Sequence, residues 1–220
     1  MSGGAAVGLL RILRGVIFAA PQADAGISGP RLPMDRFEYV MVLISIIVGL
    51  SVAHMLIGGG GIIDRRASGP PLRLGLAHSS WLAFVFVWTI HFWWWEFRFS
   101  EVVEVWTLGL YLFLVGYATS LFLLSVILVP RDWDGVEDLD QHFVARRVWF
   151  YWGLAAITVI DVIDGLLKGG ASYILEFGGW IWVLWAVTVV ACVVGLSSTR
   201  VRYHQIAGVR GPCLPSPLRL

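Results

Sequence analysis

Three ionisable side chains lie within ten residues in the stretch VIDVIDGLLK, in a chain that otherwise offers little charge. Asp161 and Asp164 are three residues apart, and Lys168 follows four later. On a helix that spacing places all three on one face. Two carboxylates in apolar surroundings ionise together only at high cost, so one holds a proton unless a cation or the lysine compensates. A neighbouring histidine would exchange protons near neutral pH. His91, in HFWWWEFRFS, is the histidine placed to do so, with Glu96 just beyond it and Glu38 further up the chain. The chemistry that these residues suggest is proton or cation handling, with a pathway through Asp161, Asp164, His91, Lys168, Glu96 and Glu38. A plainer arrangement uses the same residues. Asp164 and Lys168 pair at i, i+4 at an interface, and Asp161 bonds His91 as a packing contact, worth about 0.6 kcal/mol on average between membrane helices.

His54 and His78 form a second constellation. Two histidines on neighbouring helices have the right chemistry for axial haem ligands, so a b-type haem is an alternative. No CxxCH attachment motif supports it. The simpler expectation is that no cofactor is bound and that His54 is a satisfied polar contact between helices. His142 and His204 fall in polar segments. Cys192 lies in an apolar run and Cys213 near the end, without metal-type spacing.

The elements that position these residues follow from composition. Of the 220 residues, 58% are hydrophobic and 14% charged, and the mean hydropathy is +0.77. Soluble domains carry about 25% charged residues, so this chain has more apolar side chains than one soluble core can hide. Five apolar runs are long enough for about 30 Å of hydrocarbon: about 39–57, 80–97, 106–129, 148–167 and 179–197. None alternates with period two, and each exceeds strand length, so each reads as a helix. A helix also satisfies its own backbone in lipid. The expected fold is an all-α, polytopic membrane protein, a compact bundle of five transmembrane helices spanning 34–200, with a tail over 201–220.

The connections read as follows. Gly58–Gly75 is rich in Gly and Pro and reads as a flexible loop. FSEVVE leaves room only for a tight hairpin. Pro130 stops the third run, and Val136, Leu139 and Phe143 suggest an amphipathic lead-in to the fourth. Small residues recur every four positions at Ser45–Gly49–Ala53, Gly116–Ser120 and Ala191–Gly195–Thr199, the pattern of close helix packing within the chain or between copies. Residues 1–33 contain a short apolar stretch broken by Arg14, a poor signal peptide. Met34 opens an ordinary membrane-protein start, so 1–33 reads as a disordered leader or a mis-annotated start.

Short-loop arginines set the expected orientation. Arg65, Arg66, Arg73, Arg131, Arg146, Arg147, Arg200, Arg202, Arg210 and Arg219 share one side. The other side has Arg36, Arg98 and Lys168, joined by Arg11, Arg14 and Arg31 if the leader is present. The N-terminus is then outside and the C-terminus cytoplasmic, in a bacterial-type inner membrane. Nine tryptophans, among them Trp93, Trp94 and Trp95, lie near span ends, where indoles favour the headgroup region. In that frame the WWW run anchors the exit of the second span, while Glu96 and Arg98 reach for water. Asp161 lies about 20 Å along its helix from Val148, and His91 about 18 Å from Ser79, so the two share a depth.

A net charge of +1 gives no field for nucleic acid. No GxxxxGK[ST], HExxH or GxSxG occurs, and the polar parts are too short for a catalytic domain, so the chain does not read as an enzyme. Three functions remain open: a proton- or cation-handling channel or ion-coupled transporter; a non-catalytic scaffold or accessory subunit acting through a homo-oligomer or a membrane partner; and a haem- or pigment-binding electron-transfer subunit.

Overall fold

The computed structural model describes residues 36–69, 72–176 and 179–197. Expectations for the leader, for the tail with its arginines, His204 and Cys213, and for the Trp180 side chain lie outside the described residues. Five long helices account for nearly all of the described residues: α1 (Arg36–Ser68), α2 (Leu76–Trp95), α3 (Leu108–Leu128), α4 (Leu139–Glu176) and α5 (Gly179–Ser197). A 3-10 turn at Glu96–Arg98 and a one-turn helix at Phe99–Val102 follow α2. No strand is present among the described residues, only one isolated bridge between Arg73 and Asp138.

The chain is therefore all-α, as composition dictates. Three helices, α1, α3 and α4, are long and apolar enough to cross a membrane. α5 carries a shorter apolar stretch, Ile181–Ser197. α2 has spanning length, but five tryptophans and two histidines dilute its hydropathy. The outward faces of α1 and α5 are apolar: Ile46, Leu50, Ile57, Val183, Val187 and Val190 are all more than half exposed. In a bilayer such faces meet acyl chains.

α3 sits at the centre and packs against α1, α2 and α4, while α5 lies at the edge against α4. The α3 core residues Leu110, Leu114, Tyr117, Leu121, Leu124 and Leu128 recur at spacings of three and four and are fully buried. Thr107 caps its start by accepting the Leu110 N–H at 3.3 Å. Leu128 ends it two residues before Pro130, since the residue before a proline avoids helical geometry.

One connection differs from expectation. The glycine run at 58–61 is not a loop; α1 continues through it to Ser68. The reason is tertiary. A Cβ at Gly58 would meet Val129 at 2.6 Å, and one at Gly61 would meet the Trp133 indole at 2.9 Å. The bare backbone is a contact surface, and burial there offsets the roughly 1 kcal/mol helix penalty of each glycine.

The α1–α2 and α3–α4 connections are joined. The Arg73 N–H donates to the Glu137 carbonyl at 2.9 Å, and the Leu139 N–H donates to the Arg73 carbonyl at 3.2 Å. Six of the expected inner-side arginines thus cluster at one end of the bundle. α4 begins at Leu139, with Leu139 and Phe143 buried as the lead-in pattern required. The Asp138 carboxylate caps it through the Asp140 and Gln141 N–H groups.

The small-residue stripes divide. Gly195 is a true close contact, because its Cβ would lie 2.1 Å from the Tyr151 ring of α4. Gly49 and Gly116 meet nothing within 4 Å, and Ser45, Gly49 and Ala53 are exposed. Packing within the chain does not explain those two stripes.

Candidate functional site

The site forms where α2 ends and α4 turns back. α4 is regular to Lys168 and then breaks at Gly169–Gly170, where Gly170 has φ +76°. That left-handed conformation is open to glycine at little cost. Residues 171–176 fold back, so that a Cβ at Gly165 would touch Ile174 at 3.3 Å. Tyr173 comes to rest near Trp95, ring centroids 6.4 Å apart, and beneath the Arg98 guanidinium, 5.4 Å from its ring centroid.

Lys168, the last residue before the break, is completely buried. Its ammonium donates to Glu96 Oε1 at 3.0 Å and to Asp164 Oδ2, and it lies 4.8 Å from the centroid of the Phe99 ring. Glu96 and Asp164 are 1% and 2% exposed. Glu96 does not reach for water, contrary to the sequence expectation. Tightening of the chain after Trp95 turns its side chain inward, where Lys168 provides a counter-charge. The Asp164–Lys168 pair expected at an interface is instead a buried triad. Each carboxylate spends one oxygen on the ammonium; Glu96 Oε2 and Asp164 Oδ1 are buried with no hydrogen-bond partner. An unpaired buried acceptor costs about 1–3 kcal/mol, more when charged.

One turn earlier on α4, Asp161 is fixed by different partners. Its Oδ1 accepts the Tyr117 hydroxyl of α3 at 2.6 Å, and its Oδ2 accepts the Trp185 indole N–H of α5 at 2.9 Å. The Tyr117 oxygen in turn accepts the Trp88 indole N–H of α2 at 3.2 Å. Four helices thus converge on one carboxylate.

Between these groups lies a cavity of about 270 Å³. Its acidic wall is Glu96, Asp161 and Asp164; its aromatic wall includes Trp88, Phe92, Trp95, Tyr117, Tyr173 and Trp185. Lys168 does not line it, being on the far side of the Glu96 and Asp164 carboxylates. α2 and α5 share no substantial packing. Val87 of α2, 64% exposed, and Leu184 of α5, 36% exposed, both line the cavity. Its mouth therefore lies in the gap between those helices, facing sideways out of the bundle.

No protein family, curated protein or solved structure matches this chain. The reading of the site rests on its own geometry.

The expected site residues fall into three groups. Asp161, Asp164, Glu96 and His91 all line the cavity, and Lys168 stands behind two of them. His91 is exposed and stacks on Trp95, centroids 5.0 Å apart; the partners of Asp161 are Tyr117 and Trp185, in place of the His91 contact considered from sequence. Glu38 is exposed on the first turn of α1 and lies outside the cavity. His54 and His78 line no part of it. The His78 Nε2 bonds the Leu128 carbonyl at 2.9 Å, and the His54 ring packs edge-on to Phe122 at 6.2 Å. Both rings pack between helices, but His54 is not the satisfied polar contact expected from sequence, because its Nε2 is buried with no hydrogen-bond partner. No group of three or more His, Cys, Asp or Glu fit for a metal occurs among the described residues.

Sequence reasoning missed Tyr117, Trp88 and Trp185. A usable signal existed for the two tryptophans. Both fall well inside their apolar runs, away from the ends where an interfacial role would place them.

Proposed function

We propose that this chain is a multi-pass membrane protein that takes a proton or a cation into the Glu96–Asp161–Asp164 cluster. The observation that carries the reading is charge imbalance in a buried place. Two buried carboxylates, Glu96 and Asp164, share one ammonium and each keeps an unpaired oxygen, while the third, the partly exposed Asp161, is held by the Tyr117 and Trp185 donors. Low-dielectric surroundings make uncompensated carboxylates costly, so a positive partner is drawn in. His91, exposed on the cavity rim, is the exchange group between the cluster and the outside of the bundle. Five crossings of an inner membrane, with the N-terminus outside, complete the proposal; six arginines in and beside the two joined connections support that sidedness.

The test is proton entry into vesicles. The full chain is reconstituted with an entrapped pH dye, and an imposed potential drives protons inward. Wild-type vesicles should acidify faster than empty ones, and Asp161→Asn and Glu96→Gln should slow the change. Equal rates in wild-type and empty vesicles reject the reading.

A further inference from the structure

We propose that the cavity is a binding site for a small organic ammonium with an apolar or aromatic body, entering sideways between α2 and α5. The inference rests on the cation reading above and gives it a ligand class. Three independent features converge.

The first is charge. The cavity surface presents Glu96, Asp161 and Asp164 but no lysine or arginine, because Lys168 is screened behind Glu96 and Asp164. A ligand inside meets three carboxylates and, as the one basic side chain of the lining, the His91 imidazole. Asp161 is the best placed of the three: it is partly exposed, its two bonds hold it rigidly, and a carboxylate with about four lone-pair sites has capacity left for an N–H donor. Glu96 Oε2 and Asp164 Oδ1 are the buried acceptors that lack any partner.

The second is the wall. Trp88, Trp95 and Trp185 line the space beside the acids. Aromatic faces attract cations, indole most strongly, and they do so best where water is scarce. A bare metal ion would use little of this surface; an alkyl- or arylammonium would use all of it.

The third is size and access. About 270 Å³ lies just under the ~300–1,000 Å³ of pockets for drug-sized ligands, so the occupant is small. The mouth beside Val87 and Leu184 lies on apolar helix faces. A ligand with an apolar body concentrates where that mouth opens if the helices stand in lipid.

The probe is 2-phenylethylammonium, with 2-phenylethanol as the uncharged counterpart of nearly the same shape. Both are titrated against the full chain in detergent, reading the unfolding temperature and the tryptophan fluorescence. The ammonium should give a saturable shift in both, and the alcohol should not. Asp161→Asn should weaken the ammonium by roughly a factor of 30 or more, as loss of a buried charge partner does. Val87→Trp, which bulks the mouth without touching a buried charge, should abolish saturation while keeping the helical circular dichroism of wild type. Absence of a saturable response in wild type, an equal response to the alcohol, or wild-type affinity in folded Val87→Trp overturns the proposal. Proton entry into vesicles is scored separately, so loss of ammonium binding with proton entry intact removes the ligand class and leaves the function reading in place.

Discussion

The two ends of the bundle treat buried carboxylates in opposite ways, although buried nitrogens without partners, such as His78 Nδ1 and His142 Nε2, occur at the arginine-rich end as well. At the arginine-rich end, Asp140 is 3% exposed and its Oδ1 accepts the His78 N–H at 2.9 Å. This caps α2 from another helix. Gly75 makes room for it, since a Cβ there would fall 1.9 Å from the Asp140 carboxyl carbon. The surrounding backbone is cross-bonded through Arg73, Glu137 and Leu139. At the other end Glu96 and Asp164 are just as deeply buried, yet each leaves an oxygen without a partner beside an open cavity. The first arrangement supports the fold. The second leaves carboxylate oxygens unused, a buried cost that a bound cation or proton would relieve.

The largest effect expected from this contrast is at Lys168. Lys168→Met leaves Glu96 and Asp164 buried without a counter-charge and should cost about 3–5 kcal/mol in unfolding measured in micelles. Combining it with Glu96→Gln and Asp164→Asn should recover most of that. A neutral Lys168→Met would mean the triad is not held as a charged unit. Next comes Tyr117→Phe, which deprives Asp161 of its hydroxyl donor and leaves the Trp88 N–H without its acceptor. About 1–3 kcal/mol of destabilisation is expected, together with altered proton entry in vesicles.

Asp140→Ala should cost roughly 1 kcal/mol, as loss of a cap does, with vesicle acidification unchanged. Altered acidification in that variant would erase the proposed division between the ends. The smallest effect concerns pH. His142, at the arginine end, is pushed down to about 4, first by burial and then by the charges of Arg146 and His78. Its folded value lies below the ordinary 6.5, so the unfolded chain binds more protons between the two. Stability from this group is present above pH 6.5 and declines as pH falls toward 4. His142→Asn should flatten that part of the stability curve, and an unchanged slope would remove His142 as its source.

Local pattern carried most of the architecture. Five long apolar runs became five long helices because length, period and backbone self-satisfaction all agree. It failed at 58–68, where glycine propensity points to a loop while Val129 and Trp133, far along the chain, make a helix of it. The site was half legible for the same reason. Asp161, Asp164 and Lys168 share a face by spacing alone. That Glu96 turns inward to Lys168 depends on how the chain tightens after Trp95, and that Tyr117 and Trp185 clamp Asp161 depends on helix neighbours. A run such as HFWWWEFRFS reads as an interfacial anchor, and Trp94 at 67% exposure fits that role. Trp95, its neighbour, lines the cavity instead.

The glycine reversal after Lys168 means that one wall of the chamber, where Gly165 and Ile174 lie against each other, is built from a single short piece of chain. The lie of that wall is thus set by torsion angles at two adjacent residues. Rotation confined to that joint would reshape the space while every other helix stayed still.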